Sequence, residues 1–211
     1  MNRRHALCLI ATLFAGCASP GPVEPERFFR PDLAAPALRL DTPLRIVVEP
    51  PEVHGIYADR AFVSRAADGA YRQSTGRSWV GPPSLLFGDI LVDYLRAAYG
   101  EDSVFAPQAR VSGDLSLRTK LQRLERQQGQ DGDGGGASGG DRALLAIEFV
   151  LGGRGGALLG SLVFKDSLPA GSTPADYVAA QSQLLTRACE QLLALLDRTL
   201  PTVAPAATNG R

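Results

Sequence analysis

The sequence predicts an α+β fold: a largely antiparallel mixed sheet with two amphipathic helices packed on one face, a two-layer sandwich. Three observations lead there. Two segments, one from Ser84 to Ala98 and one from Pro174 to Leu200, place apolar residues at helical spacing. Several others, of which 114–126, 142–151 and 157–167 are the longest, alternate apolar and polar residues or run apolar in the manner of strands. The order is strand, hairpin, helix, short strand, long strand, hairpin, helix, which lets both helices cover the same face of one sheet.

Each element has a local reason. Leu44-Arg45-Ile46-Val47-Val48 is a short apolar run with β-branched residues, ended by Pro50 and Pro51. Arg60 to Arg65 is a second strand, Ala67-Asp68-Gly69 its turn, and Ala70 to Val80 the returning strand. Gly81-Pro82-Pro83-Ser84 breaks that strand and opens the first helix. Its apolar stripe is Leu85, Phe87 or Ile90, Leu91, Tyr94, Leu95 and Ala98, and Gly100 stands where a left-handed C-terminal cap belongs. Ser103-Val104-Phe105 is a short strand. From Asp114 to Arg126, Leu115, Leu117, Thr119, Leu121 and Leu124 alternate with charged residues, giving a strand through at least Leu121, while 121–128 alone also fits a helix.

Arg142 to Leu151 and Ala157 to Ser167 are two strands joined by the turn Gly152-Gly153-Arg154-Gly155-Gly156. The last helix has the fullest signature. Thr173 is its N-cap, Pro174 its first residue, and Asp176 completes a near capping box. Tyr177, Ala180, Leu184, Leu185, Ala188, Leu192, Leu195 and Leu196 form one stripe, and Pro201 is expected to stop it.

The N-terminus reads as an export signal. Arg3 and Arg4 precede an apolar stretch, Ala6 to Leu13, too short to cross a bilayer core of about 30 Å. Phe14-Ala15-Gly16-Cys17 follows and is similar to a bacterial lipobox. The expected processing is a diacylglyceryl thioether on Cys17, cleavage between Gly16 and Cys17, and an acyl chain such as palmitate on the new amino group. Ala18 follows the cysteine rather than an aspartate, which points to the periplasmic face of the outer membrane. The expected organisation is therefore a signal peptide, 1–16; a lipidated cysteine and Pro/Ala-rich tether, 17–39; one α+β domain, 40–200, containing a flexible glycine-rich loop, 129–141; and a tail, 201–211.

Composition excludes several function classes. Residues 1–16 carry two basic and no acidic residues, so the processed chain has 20 basic against 22 acidic and a net charge of −2. That gives no basic field for nucleic acid. Of three cysteines, Cys8 leaves with the signal and Cys17 takes the lipid, so Cys189, on the apolar side of the last helix, is expected to be a buried structural thiol. Gly136-Ala137-Ser138-Gly139-Gly140 fits G-x-S-x-G, but a nucleophile elbow needs a strand before, a helix after and a histidine. Here a strand follows and His54 is the one histidine left after processing. Gly134 to Gly139 fits G-x-G-x-x-G with no helix at its end. Asp131, Asp133 and Asp141 lack the distal glutamate of a calcium loop. No catalytic residue, cofactor or metal site is expected, and His54 reads as a solvated loop residue.

One cluster has interaction chemistry. Trp79 and Tyr71 lie on the first hairpin with Arg60, Arg65, Arg72 and Arg77. Aromatic and arginine side chains dominate contact hot spots, so Tyr57, Arg60, Arg65, Tyr71 and Trp79 are the candidate partner contacts. The competing reading is that Trp79 caps the core beneath the first helix.

The lipobox at Cys17, the strand Ile46 to Pro51, Tyr57 with Asp59-Arg60, the run Phe62-Val63-Ser64-Arg65, Tyr71, and Trp79 before Pro82-Pro83 together resemble the auxiliary lipoproteins of lipid-handling ABC transporters, the PqiC/YmbA type. The resemblance covers roughly residues 40–200. It implies a non-enzymatic adaptor that works with an MCE-domain protein and seats a periplasm-spanning assembly at the outer membrane, in some members as a homo-oligomeric ring. The alternative is a periplasmic lipid carrier, which needs a cavity lined by groups such as Leu91, Leu95, Phe149, Phe164 and Leu192.

Overall fold

The computed structural model describes residues 25–37, 44–109, 111–129 and 140–203. The signal peptide, Gly16 and Cys17, the centre of the glycine-rich insert with Ser138, Asp131 and Asp133, and the tail from residue 204 lie outside the described residues. The strands are β1 (Arg27–Phe29), β2 (Ile46–Val48), β3 (Glu52–Val53), β4 (Ala61–Arg65), β5 (Tyr71–Trp79), β6 (Val104–Phe105), β7 (Leu115–Gln127), β8 (Arg142–Gly153) and β9 (Leu158–Pro169). The helices are α1 (Pro83–Tyr99) and α2 (Pro174–Val203).

β7 is the spine of the sheet. Along one side it pairs antiparallel with β8 from Leu115↔Gly153 to Gln127↔Arg142, and β8 pairs antiparallel with β9. Along the other side it takes three short parallel strands in succession: β2 at Leu115, β3 at Lys120 and β4 at Glu125. Pro50 and Pro51 separate β2 from β3 because neither can donate a ladder N–H. A 3₁₀ turn at Gly55–Tyr57, with Gly55 at φ +59°, then redirects the chain into β4. The β4–β5 hairpin is antiparallel, and β6 pairs parallel with β2. The long ladders are thus antiparallel, as expected, while the parallel pairings are more numerous but each only two or three residues long.

β7 remains a strand to Gln127, and a register shift between Leu121 and Arg123 explains why 121–128 also reads as helix. The extra residue turns an apolar step of two into a step of three. Leu115, Leu117 and Leu121 before the bulge and Leu124 after it all stay buried. Since neighbouring side chains alternate faces, Glu125 is sent to the opposite side from Leu124.

Both helices lie on one face and are joined where Tyr99 Oη donates to Asp197 at 2.8 Å. α1 buries Leu86, Phe87, Ile90, Leu91, Tyr94, Leu95 and Ala98. Leu85, assigned to the stripe from sequence, is 60% exposed, because a helix starting at Pro83 brings Leu86 and Phe87 round to the sheet. Gly100 closes α1 at φ +92°, its N–H reaching Arg96 O at 2.8 Å. α2 buries the expected stripe, with Leu195 only partly covered. Its capping box is complete: Asp176 N donates to Thr173 Oγ1 and Thr173 N to Asp176 Oδ2, both at 3.1 Å. Pro201 does not stop α2, which continues to Val203. The turn after β8 is also shorter than the glycine run suggests, with β8 reaching Gly153 and a 3₁₀ turn at Arg154–Gly156.

The N-terminal segment is not an extended tether throughout. Arg27–Phe29 pair parallel with Arg77–Trp79 as an edge strand. Residues 30–37 then cross both helices. Pro31 is buried and Arg30 pairs with Asp93 at 3.3 Å. The backbone N–H of Asp32 donates to Ser182 Oγ at 3.0 Å, and that of Ala34 to Thr186 Oγ1 at 3.4 Å. Proline and alanine there suit a segment that lies flat on helices as well as one that hangs free, and composition does not separate the two.

Candidate functional site

The face of the sheet opposite the helices carries a polar cluster built around the β7 bulge. Glu125 is fully buried although it points away from the helix-side core. Tyr57, carried in by the 3₁₀ turn, donates its phenol to one carboxylate oxygen, and the Arg123 guanidinium donates to the other. The turn itself is clipped to β5: Gln73 Nε2 donates to Ile56 O at 3.3 Å and to Asp59 Oδ2 at 3.2 Å. Tyr71 meets Tyr57 edge-on with ring centroids 6.5 Å apart, and the Arg65 guanidinium lies 5.7 Å from the Tyr71 ring.

The electrostatics lock this cluster rather than activate it. Burial, followed by the hydrogen bond to the Glu125 carboxylate, pushes the Tyr57 phenol well above its ordinary value, so it stays a neutral donor. Burial works against the charge of Arg123, but the hydrogen bond and charge of Glu125 outweigh it and hold the guanidinium above its usual value. Both carboxylate oxygens accept a hydrogen bond from within the cluster. What it presents to solvent is Tyr71, 45% exposed, with the half-buried Arg65 against its ring.

The structure brings together three of the five candidate contacts, Tyr57, Arg65 and Tyr71. Arg60 sits elsewhere, 5.2 Å from the Phe28 ring and 3.4 Å from Glu26, beside β1. Trp79 is 1% exposed and is a core residue, not a partner contact. Its ring lies 4.4 Å from that of Phe62 and 6.0 Å from that of Tyr177. It is therefore buried in the core beside the start of α2. The cause is strand parity: Tyr71 and Trp79 are separated by Gly76 at φ +82°, where the β4–β5 register shifts, and they end on different faces.

Glu125 and Arg123 were not singled out from sequence, since a charged residue in an alternating strand reads as solvated. The signal that betrays them is the three-residue step from Leu121 to Leu124.

Other chemistry-bearing groups are engaged or isolated. His54 is exposed, with Nε2 3.6 Å from Glu52. Among the described residues no three of His, Cys, Asp and Glu lie close enough together to hold a metal ion. Cys189 is a free thiol, fully buried on α2, and burial followed by the nearby Glu190 charge pushes it up to about 12. No helix of the described residues is long and apolar enough to cross a membrane.

Comparison with known proteins places this architecture. A protein from Xanthomonas campestris, XCC0632 of the DUF330 family, is similar in fold with a TM-score of 0.66 and 17% identity, over 83% of this chain and 98% of its own. A second solved structure, of an uncharacterized protein, gives a TM-score of 0.61 and 16% identity over 81% of this chain and 98% of its own. No curated protein matches the chain. The family described as ABC-type transport auxiliary lipoprotein component matches residues 31–193. That span runs from the strap across the helices to near the end of α2, so the chain belongs to the ABC-type transport auxiliary lipoprotein family.

Proposed function

We propose that this protein is held by a lipid on Cys17 at the periplasmic face of the outer membrane, where it serves as a non-enzymatic adaptor for an MCE-domain partner of a lipid-transporting ABC system. The observation that carries the reading is the family match over residues 31–193. The Tyr71–Arg65 platform supports it. An exposed aromatic with an arginine against its ring, standing on a buried hydrogen-bonded base, is the composition of a protein-contact hot spot. Assembly as a homo-oligomeric ring, implied by the family resemblance, belongs to the same reading.

The lipid-carrier alternative loses its support. Leu91, Leu95, Phe149, Phe164 and Leu192 are each 0–4% exposed and belong to one continuous core. An acyl chain placed there would have to displace them.

The test is affinity capture of the tagged protein from detergent-solubilised envelopes, with mass spectrometry of the bait and of what it retains. The reading expects an acylated Cys17 at the processed N-terminus and an MCE-domain protein among the captured partners. It also expects recovery of that partner to fall about tenfold or more in Tyr71→Ala and Arg65→Ala, with folding unchanged. An unmodified Cys17 thiol, or capture without any MCE-domain protein, sinks it.

A further inference from the structure

Arg27 of β1 and Arg77 of β5 are direct neighbours in the parallel ladder. Paired positions share a face of the sheet, and like charges placed so cost stability rather than supply it. Among the described residues neither guanidinium has a hydrogen-bond or ion-pair partner. The carboxylates around them are committed elsewhere. Glu26 holds Arg60 at 3.4 Å and Ser78 Oγ at 2.8 Å. Asp141 holds Arg126 at 2.7 Å and the Gly129 N–H at 3.1 Å. Asp176 is occupied by the Thr173 hydroxyl at 2.7 Å.

The two free cations line a groove of about 860 Å³ with Pro25, Thr75, Gly76 and Pro174, and Glu26, whose carboxylate is held by Arg60 and Ser78, completes its wall. Arg77 also borders an adjoining groove of about 230 Å³ that contains Ser64, Ser74 and the Arg126–Asp141 ion pair. Gly76 leaves the floor bare: its φ of +82° fits the backbone turn there, and no atom stands within 4 Å of where a Cβ would lie. One guanidinium fork satisfies a carboxylate. Two forks side by side suit an anion with more acceptor oxygens, which is the shape of a phosphate.

We propose that Arg27 and Arg77 form a phosphate-binding site that takes either the head-group phosphate of a phospholipid or a soluble phosphate in the groove between β5 and the start of α2. The site is independent of the adaptor reading, since a partner contact at Tyr71 requires no ligand here.

The experiment uses the full-length protein extracted from membranes in an uncharged detergent, followed by arginine side-chain NMR or calorimetry. The probes are inorganic phosphate, dihexanoyl phosphatidylglycerol, and dihexanoylglycerol as the phosphate-free control. Saturable binding of a phosphate-bearing probe is expected, weakened about tenfold or more by Arg27→Gln and by Arg77→Gln. Binding of the phospholipid alone names the head group as the ligand, and binding of inorganic phosphate names the anion itself. The unliganded Gln variants should melt at or slightly above the parent temperature, because each removes a like-charge contact. The proposal is overturned if no phosphate-bearing probe binds, if dihexanoylglycerol binds as well as phosphatidylglycerol, if both variants bind normally, or if they melt several degrees lower.

Discussion

Removing Arg123 tests whether the platform under Tyr71 is held by charge. In Arg123→Ala the fully buried Glu125 carboxylate keeps Tyr57 as a donor but loses its cation. Breaking a buried ion pair by deleting one partner costs about 3–5 kcal/mol, because the remaining charge is left uncompensated. The Arg123 side chain retains 37% exposure, so water already screens part of the interaction and the expected loss is lower, about 2–3 kcal/mol. For a chain of this size 1 kcal/mol corresponds to roughly 2–4 °C, which gives a fall in melting temperature of roughly 4–12 °C.

Urea unfolding followed by the fluorescence of Trp79, the sole tryptophan, measures it directly. Glu125→Gln and the double variant complete a cycle. Once the carboxylate is an amide, losing Arg123 should cost far less, so the cycle should return a coupling of about 1–2 kcal/mol. If Arg123→Ala costs under about 0.5 kcal/mol, or the coupling vanishes, Glu125 is not held by this cation and the argument for a charge-locked platform fails.

Three other outcomes follow from particular contacts. Phe62→Ala removes the ring that touches Trp79, Tyr177 and Phe29, and should cost about 3–5 kcal/mol with a red shift of Trp79 emission; an unchanged unfolding midpoint would contradict this aromatic packing. Asp114 is held below the ordinary carboxylate value first by the Arg45 N–H, at 2.9 Å, and then by Arg154, whose Nε lies at 3.0 Å. A depressed folded-state value stabilises above the unfolded value near 3.9 and is lost as pH falls through the lowered one. Asp114→Asn should therefore lower stability at neutral pH and flatten its fall below about pH 4, and parallel curves for the two proteins would refute this. Cys189 should resist thiol reagents in the folded protein and react fully in denaturant, and rapid native labelling would disprove its burial.

The sequence makes the helices and long strands readable because their signals are local. The α2 capping box is written in Thr173-Pro174-Ala175-Asp176, and its stripe repeats over a helix of 30 residues, so phase errors average out. The first turn of α1 is harder. Leu85 and Leu86 are adjacent, and only the start at Pro83 decides which of them is buried. Features set by one irregular residue escape a periodic reading. The bulge after Leu121 buries Glu125, and the register shift around Gly76 separates Tyr71 from Trp79. Strand β1 escapes for another reason: three residues, Arg27-Phe28-Phe29, owe their conformation to an edge of β5 some fifty positions away. The candidate surface was thus legible in residue type, as aromatics and arginines on one hairpin, but not in which of them share a face.

The strap also changes what the anchor can do. If Cys17 carries the lipid, nine residues, 18–26, separate it from β1. At about 3.3–3.6 Å per residue they reach roughly 30 Å at most, about half of what a free tether to residue 38 would allow. The β1–β5 edge, with Arg27, Arg77 and the exposed Phe28, could then lie no more than roughly that distance from the anchor. Tyr71 lies at the other end of β5, six residues from Arg77, or roughly 20 Å along an extended strand. On the proposed reading, one strand would join the cationic groove to the aromatic platform. Lengthening residues 18–26 should leave partner affinity in detergent unchanged while altering assembly in intact envelopes. A matching loss in both settings would mean that the segment contacts the partner itself and does not act as a spacer.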